Sequence, residues 1–461
     1  MKRSNIRSPE NARFGRRTFL SLVAATAASA AIRSLTAQEQ NAETQPQREP
    51  QQRPPLMLTS HEAITRARDE ALDVLKPTAA ELQRGLELHY TSLVFDTYGF
   101  APRAAYDGAA LQAAAEEGAS DAELGDLMEE MSMTRAAAAP AERAELAEAL
   151  RCGGVTCIFQ NAGEEGNDPL RLIKRLARFT YLTDMARDVL VRATQPDDIV
   201  AAKEAGQHCL YLTGNGVPLV QRFESVEGEL AYIRIFFQLG IRMMHLTYNR
   251  RNALGDGCAE LANGGISDLG REAIAEMNRV GVIVDVAHSG WQTSLEAAQA
   301  SKRPMVASHT TCAGLNKHIR AKPDGVLRAI AETGGLAGIC CIPNFLGGTA
   351  DIVALIDHVD YLAKRFGVEH VGIGTDVAHR SQFASLPEAK APSRAASRTR
   401  YEALWPPGSR GGRFPRAATL AWTNWPLFTV GLVQRGYSDD DIQKIIGGNM
   451  LRVCREAVSG E

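Results

Sequence analysis

Short apolar runs, largely β-branched, recur along the chain. They lie at 92–96 (SLVFD), 154–159 (GVTCIF), 209–213 (CLYLT), 241–247 (IRMMHLT), 282–287 (VIVDVA), 304–308 (PMVAS), 336–341 (LAGICC) and 371–376 (VGIGTD). Their apolar positions run on rather than alternate, as strands covered on both faces require. Between them lie segments of helical period, among them 268–279 (DLGREAIAEMNR), 293–300 (TSLEAAQA), 324–333 and 352–366, with Ser267 or Asp268 placed to cap the first. Eight strand–helix units in this order predict an α/β fold, a closed (β/α)8 barrel of the TIM type. A doubly wound open sheet is the alternative, and no GxGxxG stands at a strand–helix turn to favour it.

The pattern is interrupted at both ends and twice within. Arg16-Arg17 precedes an Ala-rich apolar stretch over 19–32 and small residues up to Ala37. This reads as a twin-arginine export signal over 1–37, too short to span a bilayer comfortably, with an uncleaved anchor as the alternative. It implies a periplasmic or extracytoplasmic protein with no stable membrane insertion after cleavage. Residues 38–57 are rich in Gln, Pro and Glu and read as a flexible linker, leaving 58–461 for the barrel domain. Residues 101–150, Ala/Glu-rich, predict a helical insertion after the first strand, with helices over 109–117 and 121–133. Residues 380–425, rich in Ser, Arg and Pro, predict a long loop at the barrel mouth. The segment 437–453 predicts a closing amphipathic helix capped by Ser438.

Composition narrows the function. Lys+Arg number 51 and Asp+Glu 54 in 461 residues, a net charge of −3, so no basic excess points to nucleic acid. Eight cysteines without a CxxC exclude a disulfide scaffold and make a thiolate zinc site a poor reading; Cys152 and Cys157 form the closest local pair besides the adjacent Cys340 and Cys341.

Chemistry in such a barrel sits at the C-terminal strand ends. His288 ends the fifth strand, His309 the sixth and Asp376 the eighth, with His379 three residues on and His245 near the end of the fourth. Two histidines and an aspartate are donors that suit Zn2+ with an open position for water. Arg320, eleven residues after His309 in a polar loop, is a candidate grip for a substrate carboxylate.

At these residues the sequence resembles the membrane (renal-type) dipeptidases, the M19 metallopeptidase family. The resemblance is carried by 265–288 (GISDLGREAIAEMNRVGVIVDVAH), 306–324 (VASHTTCAGLNKHIRAKPD), 370–376 (HVGIGTD) and 424–453. It implies a (β/α)8 barrel with a binuclear zinc centre that hydrolyses dipeptides, commonly as a homodimer. His288 and His309 match the two histidine ligands of the second metal, Arg320 the carboxylate-gripping arginine, and Asp376 the aspartate that handles substrate and attacking water. The other half departs from the pattern. Tyr98 and Phe100 stand where the family has His-x-Asp, Asn215 lies in the turn that carries the bridging Glu, and Tyr248 replaces a substrate-binding His.

The first metal site is therefore expected to be degenerate, leaving at most one Zn2+ per chain, or none. Asp376, His379, His245 or Asp96 are the candidates to complete the His288–His309 pair, with His379 foremost. His245, an odd number of residues from Tyr248, is expected to face outward. Three functions follow. The first is a dipeptidase-like metal-dependent hydrolase of small peptides or amides with a free carboxylate. The second is a catalytically degenerate binding protein on the same barrel. The third is a metal-free acid–base enzyme using His288, Asp376 and Tyr98.

Overall fold

The computed structural model describes residues 59–163, 168–392, 405–406, 409 and 411–458. The expected export signal, the linker through residue 57 and part of the 380–425 loop lie outside the described residues. The eight strands are β1 (Phe95–Gly99), β2 (Cys157–Asn161), β3 (His208–Gly214), β4 (Ile241–His245), β5 (Ile283–Asp285), β6 (Val306–Cys312), β7 (Leu336–Ile339) and β8 (Val371–Ile373). All neighbours pair in parallel in sequence order, from β1 to β8. A doubly wound sheet would reverse that order at a switch point; this one does not, and the fold is a nearly closed (β/α)8 barrel. Two further short strands, Leu190–Arg192 and Ala321–Lys322, pair with β3 and β6.

Between β1 and β8 side chains and loop backbone make the bonds. Asp96 accepts from Thr375 N–H (2.9 Å), Thr375 Oγ1 (2.7 Å) and Trp422 Nε1 (3.1 Å), and Asp376 N–H donates to Tyr98 O (3.0 Å). Thr97 fills the space left by Gly338 and Gly374, where a Cβ would come within 2.3 and 2.6 Å of its Oγ1. Small residues on β7 and beyond β8 thus let β1 fold back across the seam.

The barrel interior is layered. Its floor is apolar: Phe95, Phe159, Tyr211, Met243, Ile283, Val306 and Leu336 pack with Met450 and Val453 of the last helix, Asn449–Val458. That helix does not run straight from Ser438. After one capped turn (Asp439–Gln443) the chain widens into a π turn, Lys444–Gly448, in which Gly447 abuts Leu93 O so closely that a Cβ would sit 2.1 Å from it.

The 101–150 segment forms three helices, Gly108–Glu116, Asp121–Ala138 and Pro140–Gly153; the last leads directly into β2 as the barrel's own first crossover helix. Helix Asp268–Val280 is capped by Ser267, whose side chain accepts from Gly270 N–H, and ends at Gly281 (φ 93°). All eight cysteines are free.

Candidate active site

Side chains alternate along a strand, so the residue two places beyond an interior apolar one also points inward. From Met243, Ile283 and Val306 this rule leads to His245, Asp285 and Ser308, a polar layer directly above the apolar floor. All three are fully buried. His245 Nε2 lies 2.6 Å from Asp285 Oδ2, without the alignment of a hydrogen bond, and its Nδ1 has no partner. Asp285 Oδ1 accepts from Ala287 N–H (2.9 Å) and Ser308 N–H (3.0 Å), and Oδ2 takes the Ser308 hydroxyl. Burial works against the Asp285 charge, but His245 and these donors outweigh it and hold the carboxyl below its ordinary value.

Above this layer stand the histidines of the strand ends. His309 Nδ1 meets Ser308 Oγ at 2.8 Å, and His288 Nδ1 meets Asn249 Oδ1 at 2.7 Å. The same oxygen accepts from the Cys258 thiol at 3.2 Å, which orients the amide. Both Nδ1 atoms are thereby donors, since Ser308 has already given its proton to Asp285. The two Nε2 lone pairs then face each other across 3.0 Å. That arrangement repels unless a cation sits between them, a proton or a metal ion. Burial first, then Arg320 and the neighbouring histidines, push both imidazoles well below their ordinary pKa. At neutral pH they are neutral, the form that binds a metal. The donor set therefore fits a divalent ion, with His245 and Asp285 grouped around His309 as further donors.

Aromatic rings fix the pair. Tyr98 stacks on His309 (centroids 3.8 Å apart, planes at 18°) and Tyr248 on His288 (4.0 Å, 23°). Tyr98 also donates from its hydroxyl to Asn215 Oδ1 at 2.6 Å. The positions where the resemblance places carboxylate and imidazole ligands thus hold, as expected from the sequence, a hydrogen-bonded Tyr98–Asn215 couple, with Phe100 beside Tyr98.

Arg320 is 1% exposed and donates from Nε to Ala287 O (3.3 Å) and from Nη2 to His309 O (3.0 Å). Both bonds hold the guanidinium against the histidine strands and leave Nη1 for a ligand. Asp376 sits just beyond β8 with a left-handed backbone (φ 56°). Arg320, Asp376, His288, Tyr98, Tyr248 and Asn215 all line one open pocket of about 550 Å3. Lys322, two residues past Arg320, was not singled out by sequence. It is fully buried, donates to Ser289 O (2.5 Å) and Ser294 Oγ (3.1 Å), and burial lowers its pKa to about 7.

Three expectations need correction. His379 does not join the histidine pair: its Nε2 lies 2.9 Å from Glu145 Oε1, which His61 Nε2 also approaches at 2.8 Å. These residues form a separate group that ties the first described helix to the 379–382 loop. His245 faces the barrel interior, because β4 ends at His245 and its alternation does not extend to Tyr248. Asp96 is spent on the β1–β8 seam.

A parallel barrel with imidazole and carboxylate donors at its C-terminal strand ends defines the class of metal-dependent hydrolase barrels. More narrowly, a family model described as membrane dipeptidase (peptidase family M19) matches residues 108–388, and the chain belongs to that family. It is 26% identical over 280 residues to dipeptidase tcpJ of Claviceps purpurea and 28% identical over 237 residues to dipeptidase verJ of Clonostachys rogersoniana. These matches cover 60% and 51% of this chain, and they span 57% and 53% of those relatives. The chain thus spans about half the length of the curated relatives it matches. Among solved structures, an amidohydrolase from Pseudomonas aeruginosa superposes with a TM-score of 0.60 at 26% identity, over 81% of this chain and 98% of that one. A probable dipeptidase, PvdM, from the same organism has the same fold, with a TM-score of 0.55 at 20% identity over 82% and 98% of the two chains.

Proposed function

We propose that this protein is a metal-dependent hydrolase of the dipeptidase kind, which cleaves small peptides or similar amides bearing a free carboxylate. The observation that carries this reading is the pair of facing Nε2 atoms of His288 and His309, 3.0 Å apart and oriented by Asn249 and Ser308, beside Arg320. His288 and His309 would hold one divalent ion, taken as Zn2+, with His245 and Asp285 as the nearest further donors. Such an ion supplies a Lewis acid and a water that ionises near neutral pH. Arg320 binds the substrate carboxylate through Nη1 and fixes the scissile amide over the histidines. Asp376 takes the proton of the attacking water on a carboxylate oxygen and returns it to the leaving amine. Tyr248 and Phe345, on the pocket wall, limit solvent around the amide.

The twin arginines at 16–17 support an extracytoplasmic enzyme, and among the described residues no helix is long and apolar enough to cross a membrane. A second reading, a barrel that binds peptides without cleaving them, is favoured by the neutral Tyr98–Asn215 couple.

Elemental mass spectrometry and dipeptide hydrolysis, before and after chelation, separate the two. About one zinc per chain with chelator-sensitive hydrolysis is expected, and His288→Ala or His309→Ala removes both together. Undiminished hydrolysis after chelation would reject the metal. Loaded protein that cleaves no dipeptide would leave the binding reading.

A further inference from the structure

The pocket that His288 lines is more cationic, among the described residues, than one carboxylate needs. Among the described residues, five arginines line the cavity (103, 171, 175, 320 and 380) against two carboxylates, Glu129 and Asp376. Glu129 is already divided among neighbours: Arg178 at 2.9 Å, Arg171 at 3.4 Å and Arg175 at 3.6 Å.

Arg103 and Arg380 have no carboxylate at all within ion-pair distance among the described residues. They are nevertheless held side by side. Residues 103 and 380 form a parallel bridge, with Arg103 N–H donating to His379 O and Ser381 N–H to Arg103 O, both at 2.9 Å. In a parallel bridge the paired side chains leave on the same side. Arg103 also lies over the Phe100 ring, 4.9 Å from its centroid. Arg175 is 4% exposed; its Nε makes no hydrogen bond and has only Glu129 Oε1, shared with two other arginines, at 3.6 Å. Burial and then the adjacent Arg175 and Arg380 lower the Arg103 pKa to about 10, against the smaller opposing pull of Glu129 and Tyr106. A fold that holds two guanidinium groups together by backbone pairing, beside a buried arginine that shares one carboxylate with two others, leaves positive charge for an anion that comes from outside.

We propose that the substrate of this pocket carries two anionic groups: the carboxylate gripped by Arg320, and a second carboxylate or phosphate ester bound by Arg103, Arg175 and Arg380. The inference rests on the hydrolase reading and narrows it to acidic substrates, such as dipeptides with an aspartyl, glutamyl or phosphoseryl residue. Arg103 reaches the pocket from the loop after β1, Arg175 from helix Pro169–Met185 and Arg380 from the loop after β8. The second anion is therefore read by elements other than those that carry the histidines.

Phosphinate mimics of Ala-Glu, Ala-Gln and Ala-phosphoserine, which cannot be hydrolysed, test this by calorimetry on the zinc-loaded full chain. At least tenfold tighter binding of one acidic mimic over the Ala-Gln mimic is expected, and the tighter of the two identifies the anion. Arg103→Gln and, at an exposed position where folding is not at stake, Arg380→Gln should each cut that preference several-fold. Equal affinity for acidic and neutral mimics overturns the inference and leaves the hydrolase reading standing. A preference that both variants retain overturns the assignment to this wall. Binding of none of the mimics overturns both readings.

Discussion

Asp285 Oδ2 lies 2.6 Å from His245 Nε2 and also takes the hydroxyl of Ser308, whose oxygen receives His309 Nδ1–H. One buried carboxylate thus sets the tautomer of the ring proposed to hold the metal. Asp285→Asn keeps the shape but puts an amide where an acceptor is needed, or turns it away from Ser308 N–H. Outer partners of this kind are worth roughly 10–100-fold in metal affinity. The expected outcome is a loss of that size in zinc affinity, read by chelator competition, with the far-ultraviolet circular dichroism unchanged. Unchanged affinity would mean that the polar layer does not orient His309.

Glu145 carries a pH dependence of known sign. Its side chain is 3% exposed, and burial opposes its charge. Bonds from His379, Gln382 N–H and His61 outweigh that and lower its pKa from 4.5 to about 2. The folded value lies below the unfolded one. The stabilisation is therefore complete above about pH 4.5 and is lost as pH falls through about 2, some 3 kcal/mol in order of magnitude. Glu145→Gln should lower the urea midpoint at pH 7, and the gap to the wild type should close on acidification. A gap that persists unchanged at pH 2.5 would contradict the role given to the charge.

Asp96 has the opposite sign. Burial raises it from 3.8 to about 7 in spite of the donors Thr375 and Trp422. Its folded value exceeds the unfolded one, so its stabilisation is full below about pH 4 and declines as pH rises through about 7. Asp96→Ala leaves Thr375 N–H and Trp422 Nε1 unpaired at the β1–β8 seam, at a cost of about 3 kcal/mol. Thermal unfolding should show the variant furthest below the wild type near pH 4 and closest above pH 8. A constant difference across that range would rule out titration of Asp96 there.

The barrel was legible because each strand announces itself as a short continuous apolar run, and His288, His309 and Asp376 stand where those runs stop, whereas Arg320 was read from the polar loop eleven residues after His309. His288, Arg320 and Asp376 line one pocket, and His309, fully buried, meets it through His288. What was not legible depended on contacts far apart in sequence. His379 sits three residues beyond Asp376, but Glu145, more than 200 residues earlier, draws it away. For His245, counting from Tyr248 runs past the end of the strand and gives the wrong face, whereas counting from Met243, inside the strand, gives the right one. Arg103, Arg175 and Arg380 share no motif, and only folding brings them to one wall.

The Tyr98–Asn215 bond is the point at which the structure departs most from its family's expected chemistry. Where the resemblance implies a His-x-Asp pair and a bridging Glu, this chain has Tyr98, Phe100 and Asn215, with Tyr98 and Asn215 joined at 2.6 Å and Tyr98 stacked on His309. The strand geometry that would present the missing ligands is intact, since Tyr98, Phe100 and Asn215 line the same pocket as His288. On the one-metal reading proposed above, ligand identity rather than backbone limits the metal count. The triple variant Tyr98→His/Phe100→Asp/Asn215→Glu supplies an imidazole and two carboxylates next to the existing histidines. Elemental analysis should then rise from about one zinc per chain to about two. Asn215→Glu alone should not do so, because it leaves Tyr98 and Phe100 without donors. A triple variant that folds but still holds one ion would show that the second site was lost through position as well as through ligand type.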